Sequence, residues 1–195
     1  MPLPPSCHRS KVHSRQIQCD AFERDDGLWD IEGHLTDVKS FDWINRDRGG
    51  VIRAGEPLHG MSLRLTIDLD FNIHRVDAVI DFAPHNICAE IVGVYKKLEG
   101  HRIGPGWTRL TKQLFGGVTG CTHLRELLGP IAATAFQALF KPRRLRELEA
   151  KGVKNTASIS LAGSPEVINT CHAWDERGPA VKEFWPDYYK QSGRE

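Results

Sequence analysis

The chain has no apolar run long enough to cross a bilayer and almost no charge excess. Its 26 lysines and arginines face 25 aspartates and glutamates, a formal net charge of +1 over 195 residues. The first shortage excludes a helical membrane span. The second argues against a nucleic-acid binder, which would carry a basic face. Basic residues do gather at Lys141, Arg143, Arg144 and Arg146, where they suit a solvated helix end. Cysteine is sparse and odd in number: five thiols at positions 7, 19, 88, 121 and 171, with no Cys-x-x-Cys pair. They read as buried, catalytic or ligating thiols in a reducing compartment rather than as a disulfide framework. The opening Met1-Pro2-Leu3-Pro4-Pro5 lacks a signal-peptide core, so a cytoplasmic location is expected. A phosphate-cradling loop is missing too. Gly116-Gly117-Val118-Thr119-Gly120 has glycines without the lysine and spacing of a nucleotide site.

What is present is an ordinary globular composition, 40% apolar and 26% charged. Residues 1–15 read as a flexible lead-in, 16–150 as the core domain, and 151–195 as an irregular arm packing on that core. Two strands are expected at 17–22 and 28–35, joined at Asp25-Asp26-Gly27, followed by a long loop over 37–56. From Met61 the apolar residues alternate through Leu63, Leu65, Ile67 and Leu69. The chain turns at Asn72 and returns to Phe82, which makes a hairpin. Cys88 then opens a helix whose Ile91, Val94, Tyr95 and Leu98 share a face, and a short helix covers 107–114. A long helix follows Cys121, with Thr122 as its N-cap and Pro130 placed to kink or split it. Strands first and helices afterwards predict an α+β domain, an antiparallel β-sheet with helices packed on one face.

The residues with chemistry converge on one place. Gly120-Cys121-Thr122-His123 sets a thiol and an imidazole at a helix N-terminus, where the dipole favours thiolate. His59 precedes the first hairpin strand and Cys88 follows the second, so both fall at one edge of the sheet. His59, Cys88, Cys121 and His123 together would form a zinc or iron–sulfur donor set. Asp81 is the carboxylate nearest that edge, while Asp68 and Asp70 read as solvated.

Two resemblances extend this reading. Phe22 to Trp29, Pro57-Leu58-His59-Gly60-Met61, Cys88, Leu98-Glu99-Gly100, Gly120 to Leu124 and Cys171-His172-Ala173 together resemble the bacterial family catalogued as domain of unknown function 2889. That likeness implies no established activity. Residues 55–140 are also similar in layout to the NifU/SufU-type iron–sulfur scaffold. His59 stands where that family has its first cysteine, Cys88 matches the second and Cys121 the last. Met61 replaces the aspartate important for cluster release, and Gly120 replaces a histidine. The likeness therefore implies a scaffold-like core and the place of a metal or thiol site more than cluster assembly itself.

Three functions compete. The first is a metal-binding protein holding zinc or iron at His59, Cys88, Cys121 and His123. With an open position it would be a small metal-dependent hydrolase of esters, amides or thioesters. The second is cofactor-independent acyl or sulfur transfer with Cys121 as nucleophile and His59, His123 or His172 as base. The third is a non-catalytic binding module. The partners expected are a small-molecule substrate and a second copy of the chain as a homodimer; nucleic acid and membrane are not expected.

Overall fold

The computed structural model describes residues 3–152 and 167–191. Six strands form in chain order: β1 (His13–Glu23), β2 (Trp29–Lys39), β3 (Trp43–Asn45), β4 (Gly50–Ile52), β5 (Pro57–Ile67) and β6 (Ile73–Phe82). Four of them make an antiparallel sheet in the order β1-β2-β5-β6, and β3 and β4 pair as a separate small hairpin. A 3-10 segment over Asn86–Leu98 follows, then α1 (Trp107–Phe115) and α2 (Thr122–Ala150). The architecture is α+β, as the order of elements predicts.

Alternation decides which face is inside. Ile31 and Leu35 of β2 and Leu63, Leu65 and Ile67 of β5 are at most 1% exposed. The even positions between them carry a polar ladder: Arg64 donates to Glu32, and His34 pairs with Ser62. The first part of α2 lies against the inner face at Gly33. A methyl group there would stand 2.7 Å from Cγ1 of Ile131, so the glycine sets how closely helix and sheet approach. Trp107 of α1 donates its indole N–H to the Leu128 carbonyl of α2, and the rings of Tyr95 and Phe115 stack at 4.4 Å.

Several boundaries differ from the sequence reading, and two of the differences matter for function. β1 begins at His13, so residues 13–15 are strand rather than lead-in, and β2 runs on to Lys39. The expected loop over 37–56 thus contains the end of a strand and the β3–β4 hairpin. The segment opening near Cys88 winds as 3-10 turns, in keeping with Gly93 and the β-branched Ile87, Ile91, Val92 and Val94 within it. It still buries Tyr95 and Leu98. α2 continues unbroken through Pro130, whose neighbours Leu127, Leu128 and Ile131 are all buried. Its first hydrogen bond runs from Arg125 N–H to the Cys121 carbonyl, which makes Cys121 rather than Thr122 the capping position.

The chain divides into two compact units, Met1–Ala138 and Leu139–Glu195. In the second, the described residues form a 3-10 turn at His172–Trp174, α3 (Pro179–Phe184) and a turn at Pro186–Tyr188. Trp174 meets Trp185 at 4.8 Å and Phe184 at 6.0 Å there. Gly163, Ser164 and Pro165, part of the expected irregular arm, lie outside the described residues.

Candidate metal centre

The site is built where three strands and a helix start meet. In the sheet register Arg15 of β1 stands opposite Asp37 of β2, and Asp37 opposite His59 of β5. All three occupy the phase that faces inward further along each strand, so their side chains gather on the face that α2 covers. A register irregularity falls between Asp37 and Val38, the kind of bulge that re-aims a side chain next to a site. α2 supplies His123 and Glu126 from its first turns, three residues apart and therefore on one side of the helix.

Asp37 is the hub. Its carboxylate is 1% exposed and is surrounded by donors. Arg15 forks onto it, Nε to Oδ1 at 2.8 Å and Nη2 to Oδ2 at 2.7 Å. His13 reaches Oδ1 through Nε2 at 3.2 Å, and His59 reaches Oδ2 through Nδ1 at 3.0 Å. Nε2 of His123 stands 3.6 Å from Oδ2. Arg15 also pairs with Glu126, which ties β1 to α2.

The electrostatics follow from this packing. Burial works against the Asp37 anion, but the hydrogen bonds and charge of Arg15, joined by His59, outweigh it and hold the pKa down to about 2. Burial pushes the pKa of His59 below its ordinary 6.5, and the neighbouring His123 pushes the same way. His123 is lowered by burial and by the charge of Arg15. At neutral pH the pocket therefore holds one carboxylate beside two neutral imidazoles, whose rings lie 3.9 Å apart. Because an ionised carboxylate only accepts, His59 must donate from Nδ1, leaving the lone pair on Nε2.

Asp37, His59 and His123 each offer a ligand atom, and these atoms lie within 4.8 Å of one another. Among the described residues no other group of three or more such side chains is gathered closely enough to hold an ion. Of the four residues singled out in the sequence, the structure thus brings His59 and His123 together. Cys88 and Cys121 are half-buried free thiols that give no donor to the group. Cys121 is held through its backbone: its N–H donates to the Tyr95 hydroxyl at 3.0 Å, and that hydroxyl donates to its carbonyl at 2.8 Å. The carboxylate of the cluster is Asp37, not the exposed Asp81. Asp68 is not a merely solvated residue either, since it anchors the turn before β6 through Asn72 and His74.

His13, Arg15, Asp37 and Glu126 were not picked out from sequence, although a signal exists for Asp37. It continues the inward phase of Ile31, Gly33 and Leu35, and a carboxylate in that phase has to be paired. The inner cluster also opens outward. His59 lines a cleft of about 520 Å³ with apolar walls from Trp43, Ile44, Leu58 and Pro84. Lys39 and Arg46 lie on the same cleft.

Fold and site together define an α+β protein with a buried carboxylate clamped by arginine beside two imidazoles. The chain belongs to the family described as protein of unknown function (DUF2889), whose family model matches residues 13–137. That span takes in every residue of the cluster. No curated protein and no solved structure matches the chain. No helix among the described residues is long and apolar enough to cross a membrane.

Proposed function

We propose that Asp37, His59 and His123 bind a divalent transition-metal ion, zinc in the first instance, at the inner end of the cleft. The observation that carries this reading is the convergence of one carboxylate and two imidazoles within 4.8 Å. Two nitrogens and one oxygen form a borderline donor set suited to zinc or mononuclear ferrous iron, and three protein ligands leave coordination positions open. No thiolate joins the group among the described residues, which favours a single ion over an iron–sulfur cluster. Arg15 keeps Asp37 ionised and oriented, as outer partners of ligating carboxylates do. An ion held by Asp37, His59 and His123 would supply Lewis acidity for activating water, and the chemistry then in reach would be hydrolysis of an ester, amide or thioester.

The test is metal content and calorimetric zinc titration of protein purified without chelator. About one zinc per chain, with affinity reduced about 100-fold or more in His59→Ala and Asp37→Asn variants, is the expected result. Folded protein that takes up no zinc, iron(II) or cobalt(II) overturns the proposal. Ester and thioester turnover that follows metal loading would extend it to catalysis.

A further inference from the structure

We propose that the cleft beside His59 binds a small aromatic carboxylate, its ring against Trp43 and its carboxylate on Lys39. Binding rests on the cleft alone; that the ligand is a substrate presented to His59 rests on the metal reading above.

The cleft volume of about 520 Å³ is within the range of small-molecule sites, roughly 300–1,000 Å³. Its walls are held in place by the protein's own bonds. The Asn45 side chain donates to the Pro84 carbonyl at 2.9 Å, which fastens the β3–β4 hairpin to the segment after β6. Asn45 also caps the turn at Arg46–Arg48 by accepting from the Arg48 N–H.

Charge selects an anion. The cleft carries two cations, Lys39 and Arg46, against one carboxylate, Asp47. Arg46 and Asp47 offset each other as an ion pair at 3.4 Å, and Asp47 also accepts the Asn86 N–H at 3.3 Å and has His85 within 3.7 Å, so the unmatched charge is that of Lys39. Lys39 has no carboxylate within ion-pair distance among the described residues. Its ammonium instead lies over the rings of Trp43, at 4.6 Å, and Phe41, at 5.2 Å. A cation held on ring faces keeps N–H donors free for an incoming anion.

Shape and polarity select an aromatic body. Trp43 leaves 42% of its surface exposed and Ile44 87%, on a hairpin whose cleft side continues into Leu58 and Pro84. A flat apolar group covers an indole well, and offset ring pairs add to simple burial. A phosphate ester fits less well, because a dianion calls for several convergent donors or a nest of backbone N–H groups. The cleft offers one well-placed ammonium and one rim guanidinium.

The experiment is calorimetric titration of the full-length protein with trans-cinnamate and with its neutral isostere cinnamamide. Cinnamate is expected to bind at least about tenfold more tightly, since a charge-assisted contact is lost in the amide. Lys39→Met should erase that preference, Lys39→Arg should retain it, and Trp43→Ala should weaken both ligands. Thermal melts confirm that each variant is folded. Equal affinity for the two ligands, no saturable binding of either, or a preference untouched by Lys39→Met overturns the proposal. His123→Ala separates the two readings, because it deletes a metal donor that does not line the cleft. Cinnamate binding in protein that never takes up zinc leaves this proposal standing and removes the metal one. Zinc uptake with indifference to cinnamate does the reverse.

Discussion

Replacing Arg15 with methionine would leave Asp37, 1% exposed, with imidazoles but without its guanidinium clamp. An uncompensated buried carboxylate is costly, and a loss of about 2–3 kcal/mol is expected in urea denaturation. The Asp37 pKa should rise in the same variant, which moves acid unfolding to higher pH. In the wild-type protein without metal, Asp37 and the two histidines of the cluster each add a phase to the pH profile, and Asp68, held down to about 2 against its burial by Asn72 and His74, adds to the acidic one. Asp37 titrates near 2 when folded and near its ordinary 3.8 when unfolded, so protons favour the unfolded chain. Its contribution, of the order of 1–2 kcal/mol after discounting for solvent, is present above pH 4 and is lost as pH falls towards 2. The histidines act the same way at higher pH. Their folded pKa values lie below 6.5, so stability is full above that value and declines as pH falls beneath it. Denaturant midpoints measured from pH 8 to pH 2 should show both phases. A His59→Gln, His123→Gln double variant should lose the upper one.

At the level of elements, Gly33 and Tyr95 set where α2 lies and where it begins. Gly33→Ala drives a methyl group to 2.7 Å from Cγ1 and 2.8 Å from Cδ1 of Ile131. Because Ile131 is fully buried, it cannot swing aside, and overpacking should cost about 1–3 kcal/mol. Adding Ile131→Ala should relieve part of that cost, a non-additivity that a double-mutant cycle reads directly. Tyr95→Phe removes both hydrogen bonds that hold the Cys121 backbone and should cost about 1–2 kcal/mol. It should also weaken metal binding, since His123 lies two residues beyond that clamp. The sheet core was legible from sequence because period-two alternation at 61–67 has one satisfactory burial. Strand ends were not, because His13 and Arg15 lie before any apolar alternation begins. Asp37, a charged residue following a strand, has the local look of a loop; its partners come from β1, β5 and α2.

For the molecule as a whole, the metal should act as a stabilising ligand. An ion that binds only the folded state at 100 times its dissociation constant adds about 2.7 kcal/mol. For a chain of 195 residues that corresponds to a rise of several degrees in Tm, measured by differential scanning calorimetry with and without zinc. Chelator should reverse it, and Asp37→Asn should abolish it. The response is expected in the transition of the first unit, which contains all three ligands.

Local chemistry settled much of this protein before any contact was known. Alternation and turn residues decide a paired sheet, helical spacing after Cys121 decides α2, and the order of the two decides an α+β fold, because each of these is a short-range property of the chain. The likeness that led to DUF2889 was legible in short motifs for the same reason. The donor set was not a short-range property. His59 and His123 could be named as ligand types, but their carboxylate partner depends on a strand register that matches Arg15 to Asp37 and Asp37 to His59. It depends equally on a glycine that lets α2 settle onto β2. Arg15 and His59 then hold Asp37 ionised against its burial, while burial keeps both imidazoles neutral. Those are consequences of three strands and a helix meeting at one point, and desolvation and charge act there only once the chain has folded.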